Sequence, residues 1–225
     1  MTWFLTTVGQ AGGGGGDLPN FSATKLVDNT TKSATLSFSA DYHNYPILYF
    51  VCEWVSPNDP SIRETHYFAT TPDICDEIFL NSSNALCLNI LGTNRYVLYR
   101  KTNTTTWSRY AQRDTDCIEV YGISCDKTVT APTLYQRGDI GNSNISITSV
   151  SSLYDYDIIF FSTCASSWDE TCVCEFPYFK TNHPTFFEGG NSWAGNKYNS
   201  STGIVVSEYT ISSYSYFMVQ GIKFS

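Results

Sequence analysis

The sequence predicts an all-β protein, folded as an antiparallel β-barrel or, as the alternative, a β-sandwich. Of its 225 residues, 16% are aromatic and only 15% are charged, and aromatic and β-branched side chains pack well on pleated surfaces. About ten short segments of apolar or alternating character are separated by turns rich in Asn, Thr, Gly and Asp. This spacing is typical of barrels and sandwiches rather than of βαβ units. The patterns leave the choice between barrel and sandwich open.

The most strand-like segment is residues 153–174, LYDYDIIFFSTCASSWDETCVC. Because side chains alternate along a strand, Tyr156 and Phe160 share one face and Asp157 lies on the other. Residues 165–170 are polar and a second apolar run covers residues 172–179. The pattern predicts a buried central strand that continues through a turn into an antiparallel hairpin.

The other elements are predicted in chain order around this segment. Residues 1–20 are expected to be a flexible Gly-rich leader or linker, since a run of five glycines loses too much entropy on ordering, and residues 21–225 a single β domain. Residues 45–55 are apolar on both faces and form a predicted hairpin with residues 62–69 across the turn SPNDPS. One short helix is predicted at residues 73–80. Further strands are predicted at residues 34–40, 95–101, 106–111, 116–123, 145–150, 204–211 and 214–223.

Eight cysteines and six Asn-x-Ser/Thr triplets indicate a secreted, extracellular glycoprotein, because disulfides persist in the oxidising secretory route. We expect all the cysteines to be paired, with the connectivity left open, and most of the asparagines to carry glycans. The cysteines are Cys52, Cys75, Cys87, Cys117, Cys125, Cys164, Cys172 and Cys174. The asparagines are Asn20, Asn29, Asn81, Asn103, Asn144 and Asn199.

Several functional classes are disfavoured by the sequence. The net charge of −8 and the scattered 13 Lys and Arg residues argue against nucleic-acid binding. The three histidines lack a metal-ligand spacing, and no nucleophile elbow or phosphate-binding loop is present. No segment approaches the length of about 20 apolar residues that a membrane-spanning helix needs. We therefore predict no catalytic residues, metal, cofactor or membrane span, and hence no enzyme.

The run Tyr154-Asp155-Tyr156-Asp157-Ile158-Ile159-Phe160 resembles the Asp-Tyr-Asp strand of lipocalins. A cysteine in an apolar strand, the strand SIRETHYF after a turn, and a Tyr/Asp strand followed by Cys-turn-Cys are similar to secreted lipocalins of the tick salivary, histamine-binding type. The resemblance covers roughly residues 45–179. It implies an extracellular carrier or scavenger of a small hydrophobic or amine ligand, with no reaction catalysed.

If both apolar segments are strands of one barrel, one face of each must point inward. The expected ligand-binding wall is Tyr49, Trp54, Phe68, Tyr99, Tyr156 and Phe160, with Asp157 facing in only if the register is shifted by one residue. A neutral hydrophobic ligand is predicted in the first case and an amine in the second, since an amine would relieve the cost of a buried carboxylate. The alternative function is that of a secreted β-sandwich glycoprotein that meets a protein partner through its surface, as a coat, adhesion or immune-modulating module.

Overall fold

The structure is a computed structural model. It describes residues 19–81, 85–90, 95–138, 145–146, 156–165, 173–174, 178–179, 187–189, 192–199, 203–209 and 214–225. The predicted leader or linker lies outside these residues, apart from Pro19 and Asn20.

Strands dominate the described part of the chain. They are β1 (Phe21–Asp28), β2 (Thr35–Ser37), β3 (Ile47–Val55), β4 (Arg63–Thr70), β5 (Leu86–Ile90), β6 (Arg95–Asn103), β7 (Thr106–Arg113), β8 (Thr115–Cys125), β9 (Val129–Thr130), β10 (Thr133–Gly138), β11 (Ile145–Ser146), β12 (Ile158–Ala165), β13 (Val173–Cys174), β14 (Tyr178–Phe179), β15 (Phe187–Gly189), β16 (Ser192–Asn199), β17 (Gly203–Tyr209) and β18 (Tyr214–Phe224). A 3-10 turn covers Tyr42–Asn44, and the helix α1 covers Pro72–Asn81. With ten residues, α1 cannot cross a bilayer, and no described helix is long and apolar enough to do so.

The strands form three sheets. The first has the order β1-β8-β3-β4, the second β10-β18-β12-β13-β5-β6-β7-β2 with β9 and β14 at its side, and the third β11-β17-β16-β15. Neighbouring strands are antiparallel except β13 and β5. The all-β prediction is confirmed. None of these sheets closes on itself among the described strands, and they form layers like those of a sandwich.

The strands and turns that were predicted from a local sequence pattern agree best with the structure. The hairpin of β3 and β4 is present, with Leu48 opposite Thr70 and Val55 opposite Arg63. The predicted central strand begins later than expected, at Ile158, and lies between β18 and β13 in the second sheet. Its hairpin partner is the short strand β13, which pairs with it antiparallel. Residues 147–150, from the predicted strand at 145–150, lie outside the described part.

The core joins residues of the first sheet, the second sheet and α1 in one cluster. Strand β3 is buried on both faces for most of its length, as its unbroken apolar run predicts. Trp107 of β7 is fully buried at the centre. Its ring lies 4.8 Å from Phe38 and 5.0 Å from Phe79, centroid to centroid. Aromatic side chains therefore fill the space between the layers here rather than line a cavity.

The expectation that all eight cysteines are paired stays a prediction. Cys52, Cys117 and Cys125 are not linked to another cysteine in the structure. Cys52 and Cys117 are completely buried, where a thiol packs as a small apolar group. Cys75 and Cys87 are buried as well. The side chains of Cys164, Cys172 and Cys174 lie outside the described part.

Candidate functional site

A pocket of about 350 Å³ lies where the first sheet, the second sheet and the beginning of α1 meet. Its walls come from the 3-10 turn and the segment entering β3, the β4–α1 junction, the end of β8, the β9 region and β18. Its size falls in the range of small-molecule sites, which is roughly 300–1,000 Å³. The residues that determine its chemistry are His43, Tyr45, Thr71, Asp73, Cys125 and Gln220.

The sequence Thr71-Pro72-Asp73 fixes one wall by starting α1. The Thr71 hydroxyl accepts a hydrogen bond from the Ile74 backbone N–H at 3.2 Å, which is the action of a helix N-cap. Pro72 follows at the first helical position, where a missing N–H costs nothing. Asp73 lies in the first turn, where the helix dipole favours a carboxylate. The side chain of Asp73 is exposed and lines the pocket.

Gln220 of β18 ties this helix start to the second sheet. Its side chain is completely buried. The amide oxygen accepts a hydrogen bond from the Thr71 hydroxyl, and Nε2 donates to Asp73 Oδ2 at 2.7 Å and to the Ala131 carbonyl at 2.8 Å. Because both ends of the amide are satisfied, the network holds the pocket floor in one arrangement.

His43 also lines the pocket and is held between two carboxylates. Nδ1 lies 2.6 Å from Asp41 Oδ1, and Nε2 lies 2.7 Å from Asp76 Oδ2. Asp76 also accepts hydrogen bonds from the Tyr42 hydroxyl at 2.6 Å and from Lys101 at 2.8 Å. Burial works to lower the pKa of His43, but the hydrogen bonds to Asp76 and Asp41 outweigh it, and the pKa is raised. The clamp thus favours the imidazolium form and positions the 3-10 turn against α1.

Asp76 shows the complementary shift. Burial works to raise the pKa of its carboxyl, while the hydrogen bonds from Lys101 and Tyr42 more than offset burial, so that the pKa is lowered. Burial, followed by the hydrogen bond to Asp76, raises the pKa of Tyr42. The cluster therefore holds an ionised carboxylate against a neutral phenol and two cationic groups.

Tyr45 shapes the pocket through its contact with β8. A Cβ atom added at Gly122 would lie 2.3 Å from Tyr45 Cγ, so only glycine permits the aromatic ring to lie flat on this strand. The ring thereby covers the strand next to Ser124 and Cys125, which also line the pocket.

The pocket lining carries one carboxylate and one imidazole. Asp73 supplies the carboxylate and His43 the imidazole, and no lysine or arginine is found among the described residues that line it. The charge of His43 is matched by its two carboxylate partners. In a chain with a net charge of −8, this balance favours a cationic ligand over an anionic one. No group of three His, Cys, Asp or Glu side chains in the described residues is arranged to hold a metal ion.

None of the predicted ligand-wall residues lines this pocket. Tyr49, Phe68, Tyr99 and Phe160 are buried in the core cluster. Trp54 is buried beneath Arg95, whose guanidinium carbon lies 3.4 Å from its ring centroid, a cation–π contact.

Tyr156 and Asp157 have structural partners at the carboxyl-terminal strand. A Cβ atom at Gly221 would lie 2.5 Å from Tyr156 Cδ1, so the ring packs directly on β18. Asp157 Oδ2 accepts a hydrogen bond from the Phe224 backbone N–H at 2.8 Å. Tyr156 and Asp157, whose orientation was expected to determine whether the ligand is neutral or an amine, thus both contact β18.

The pocket residues were not predicted as site residues. The Thr-Pro-Asp sequence is a readable helix start, and Asp41-x-His43 places a carboxylate next to an imidazole. Their partners give no such signal, because Gln220 is 147 residues from Asp73 and Asp76 is 33 residues from His43.

Asn29 has surroundings that do not suit a glycan, and the prediction that most of the six asparagines are glycosylated stays a prediction. The Asn29 side chain is only 3% exposed. Nδ2, the atom that would carry the glycan, donates to the Cys117 carbonyl at 2.9 Å and to the Ser33 carbonyl at 3.2 Å. A sugar on this atom would break both bonds and require space inside the fold.

The other acceptor triplets differ in their surroundings. Asn103 is exposed at the turn between β6 and β7, and its Oδ1 accepts hydrogen bonds from the backbone N–H and the hydroxyl of Thr105. Asn20 Nδ2 donates to Asp126 at 2.6 Å. The side chains of Asn81, Asn144 and Asn199 lie outside the described part.

Comparison with known proteins gives no relative. No family model, no curated protein and no solved structure matches the chain. The resemblance to lipocalins therefore stays a prediction.

Proposed function

We propose that this protein is a secreted, non-catalytic binding protein that takes a small amine-bearing ligand in the pocket beside α1. The observation that carries the proposal is the Asp73 carboxylate on the wall of a 350 Å³ pocket lined by no lysine or arginine among the described residues. Because the described sheets form sandwich-like layers and none of them closes into a barrel, our proposal puts the ligand in this cleft and not in a barrel interior.

The geometry of the Asp73 carboxylate suits an ammonium group. One oxygen accepts the hydrogen bond from Gln220 at 2.7 Å, which fixes its orientation. An ionised carboxylate can accept about four hydrogen bonds, so capacity remains for a donor from the ligand. The Tyr45 ring and Pro46 add apolar wall, which suits the hydrocarbon part of an arylalkylamine.

Secretion and glycosylation belong to the same proposal. Eight cysteines and the exposed turn at Asn103 support an extracellular glycoprotein. When the protein is produced in eukaryotic secretory cells, glycopeptide mass spectrometry should find Asn103 occupied and Asn29 unoccupied. Occupancy of Asn29 in folded protein would contradict the burial argument.

Isothermal titration calorimetry tests the ligand. Histamine and serotonin should give saturable heats and a fatty acid none, and Asp73→Asn should weaken amine binding by about tenfold or more, the effect of losing one charge-assisted hydrogen bond. Asp28→Asn is the matched control, because Asp28 is an exposed carboxylate on β1 that does not line the pocket. Equal affinities of the two variants, or binding of the fatty acid alone, would overturn the proposal.

A second candidate is a surface interaction module. Its support is the aromatic cluster around Trp107, which fills the core where a carrier would need an aromatic-lined cavity. This function predicts no heat with any amine or fatty acid and saturable binding of the fluorescently labelled protein to cells. Absence of cell binding would contradict it.

A further inference from the structure

Two buried cysteines face each other across neighbouring strands of the first sheet. Cys52 of β3 and Cys117 of β8 are direct antiparallel partners, and both are completely buried. The register shifts between Val51 and Cys52, so that Val51 pairs with Glu119 and Ile118 has no partner on β3. This β-bulge re-aims the side chain of Cys117.

The backbone around Cys117 is held by side chains from other strands. Its N–H donates to the Tyr99 hydroxyl at 3.3 Å, and its carbonyl accepts from Asn29 Nδ2 at 2.9 Å. Since the N–H is directed to Tyr99 rather than to β3, Cys52 and Cys117 meet as a non-hydrogen-bonded pair. Such pairs bring the Cα atoms to about 4.5 Å, within the range of about 4.4–6.8 Å that a disulfide spans.

The two thiols belong to residues that are opposite each other across the strands. Burial raises the pKa of Cys52, and a hydrogen bond between its side chain and that of Cys117 adds to the effect. Cys117 Sγ also reaches the Glu119 carbonyl at 3.5 Å. Both groups are thus held as adjacent thiols in a closed, apolar environment.

We propose that Cys52 and Cys117 form a cross-strand disulfide when the protein folds in an oxidising compartment. One S–S bond forms and two S–H bonds break, and the two electrons and two protons pass to the disulfide of a thiol oxidoreductase, which becomes a dithiol. The inference goes beyond ligand binding and requires only an oxidising compartment.

Among the neighbouring cysteines, distance excludes Cys125 as a partner of this pair but does not exclude Cys87. Cys125 lies on the same strand as Cys117, eight residues further on, and a strand rises about 3.3 Å per residue, which is too far for a bond between them. The Cys125 thiol reaches the Lys127 carbonyl at 3.6 Å, at the rim of the pocket. Cys87 is near enough to influence Cys52 electrostatically, so the Cys52–Cys87 pairing is the alternative that an experiment must separate.

Disulfide mapping of the full chain from eukaryotic secretory cells tests the assignment. The protein is denatured, alkylated with N-ethylmaleimide without reductant, and digested with trypsin and chymotrypsin, which cleaves after Tyr121 and so separates Cys117 from Cys125. The expected result is a peptide pair joining Cys52 to Cys117. Alkylation of both residues, or a bond from either one to another cysteine, overturns the proposal.

A second measurement follows the burial of the bond. In the folded protein, dithiothreitol should leave the linked peptide pair intact, and it should reduce the pair once urea is added. Cys125→Ala should keep the pair, whereas the double variant C52A/C117A should lose it and unfold at a lower temperature under oxidising conditions. If the double variant does not fold, the map of the unaltered protein decides. Rapid reduction of the native pair would contradict its buried position.

Discussion

Replacing Asn29 by aspartate should destabilise the fold in a way that depends on pH. The two side chains have the same shape, but aspartate puts a carboxylate oxygen where Nδ2 donates to the carbonyls of Cys117 and Ser33. Ser33 is exposed, so water can replace its bond, whereas the Cys117 carbonyl bond is buried. Leaving one buried group unsatisfied costs about 1–3 kcal/mol, and more when a charge is involved. We expect Asn29→Asp to lower the free energy of unfolding by about 3 kcal/mol at pH 7.

The sign of the pH effect follows from the protonation states. Facing two carbonyls in a buried site, the introduced carboxyl would have a raised pKa in the folded state. Its destabilising effect is therefore small below the unfolded pKa of about 4 and grows as the pH rises above that value. Urea unfolding of the variant at pH 4 and pH 7 measures the difference from the unaltered protein at each pH.

Asn103→Asp is the matched control for this experiment. Asn103 is exposed, and its Oδ1 accepts hydrogen bonds from Thr105 that a carboxylate also accepts. It should change the free energy of unfolding by less than about 0.5 kcal/mol. A loss at Asn29 no larger than at Asn103, or a loss that is the same at both pH values, would refute the buried hydrogen-bond argument.

Three further predictions concern the clamp, the pocket and the core. Because the pKa of His43 is raised in the fold, its contribution to stability is fully present below pH about 6.5 and is lost as the pH rises through the folded pKa. Urea unfolding between pH 5 and 9 should show this loss and should not show it in His43→Gln. Gly122→Ala should cost about 1–3 kcal/mol by forcing the Tyr45 ring off β8, as thermal unfolding would report. Trp107→Ala should cost about 4 kcal/mol. Trp107→Phe should lower the free energy of unfolding by less than Trp107→Ala, because it keeps an aromatic ring and removes the buried indole N–H, which has no described partner. Equal losses of unfolding free energy for the two variants in chemical denaturation would disprove this.

Elements with local signals were predictable, and pairings between distant segments were not. The run YPILYFVCEWV could only be a buried strand, and SPNDPS could only be a turn, so β3 and β4 were predicted nearly to their ends. Strand β1 was missed because FSATKLVD alternates weakly and exposes half its side chains. It becomes a strand by pairing with β8, about a hundred residues away.

Asn29 shows that an acceptor triplet does not reveal the surroundings of its asparagine in the fold. The triplet Asn-Thr-Thr is the same at Asn29 and Asn103, and both lie next to strand ends. What separates them is the hydrogen bond from Asn29 to the Cys117 carbonyl, 88 residues further along the chain. Burial of an amide depends on such a distant partner, so a triplet predicts an acceptor only when the surrounding strands leave it outside.

The predicted ligand-binding wall required one sheet to close into a barrel. The alternation of side chains along a strand does not determine whether a sheet closes. Alternation correctly places Ile158 and Phe160 on one buried face, but a buried face can point to a cavity or to another layer. In the structure that face joins the core cluster shared by both sheets. The described sheets are open, and a different concave site lies where the beginning of α1 meets the first and second sheets. Its polar groups are Thr71, Asp73 and Gln220. The sequence indicates a helix cap at Thr71 and a strand at Gln220, but it does not indicate that these two segments are in contact. The site is therefore a consequence of how the layers stack, and the ligand chemistry that we propose depends on the Asp73 carboxylate rather than on the aromatic strands.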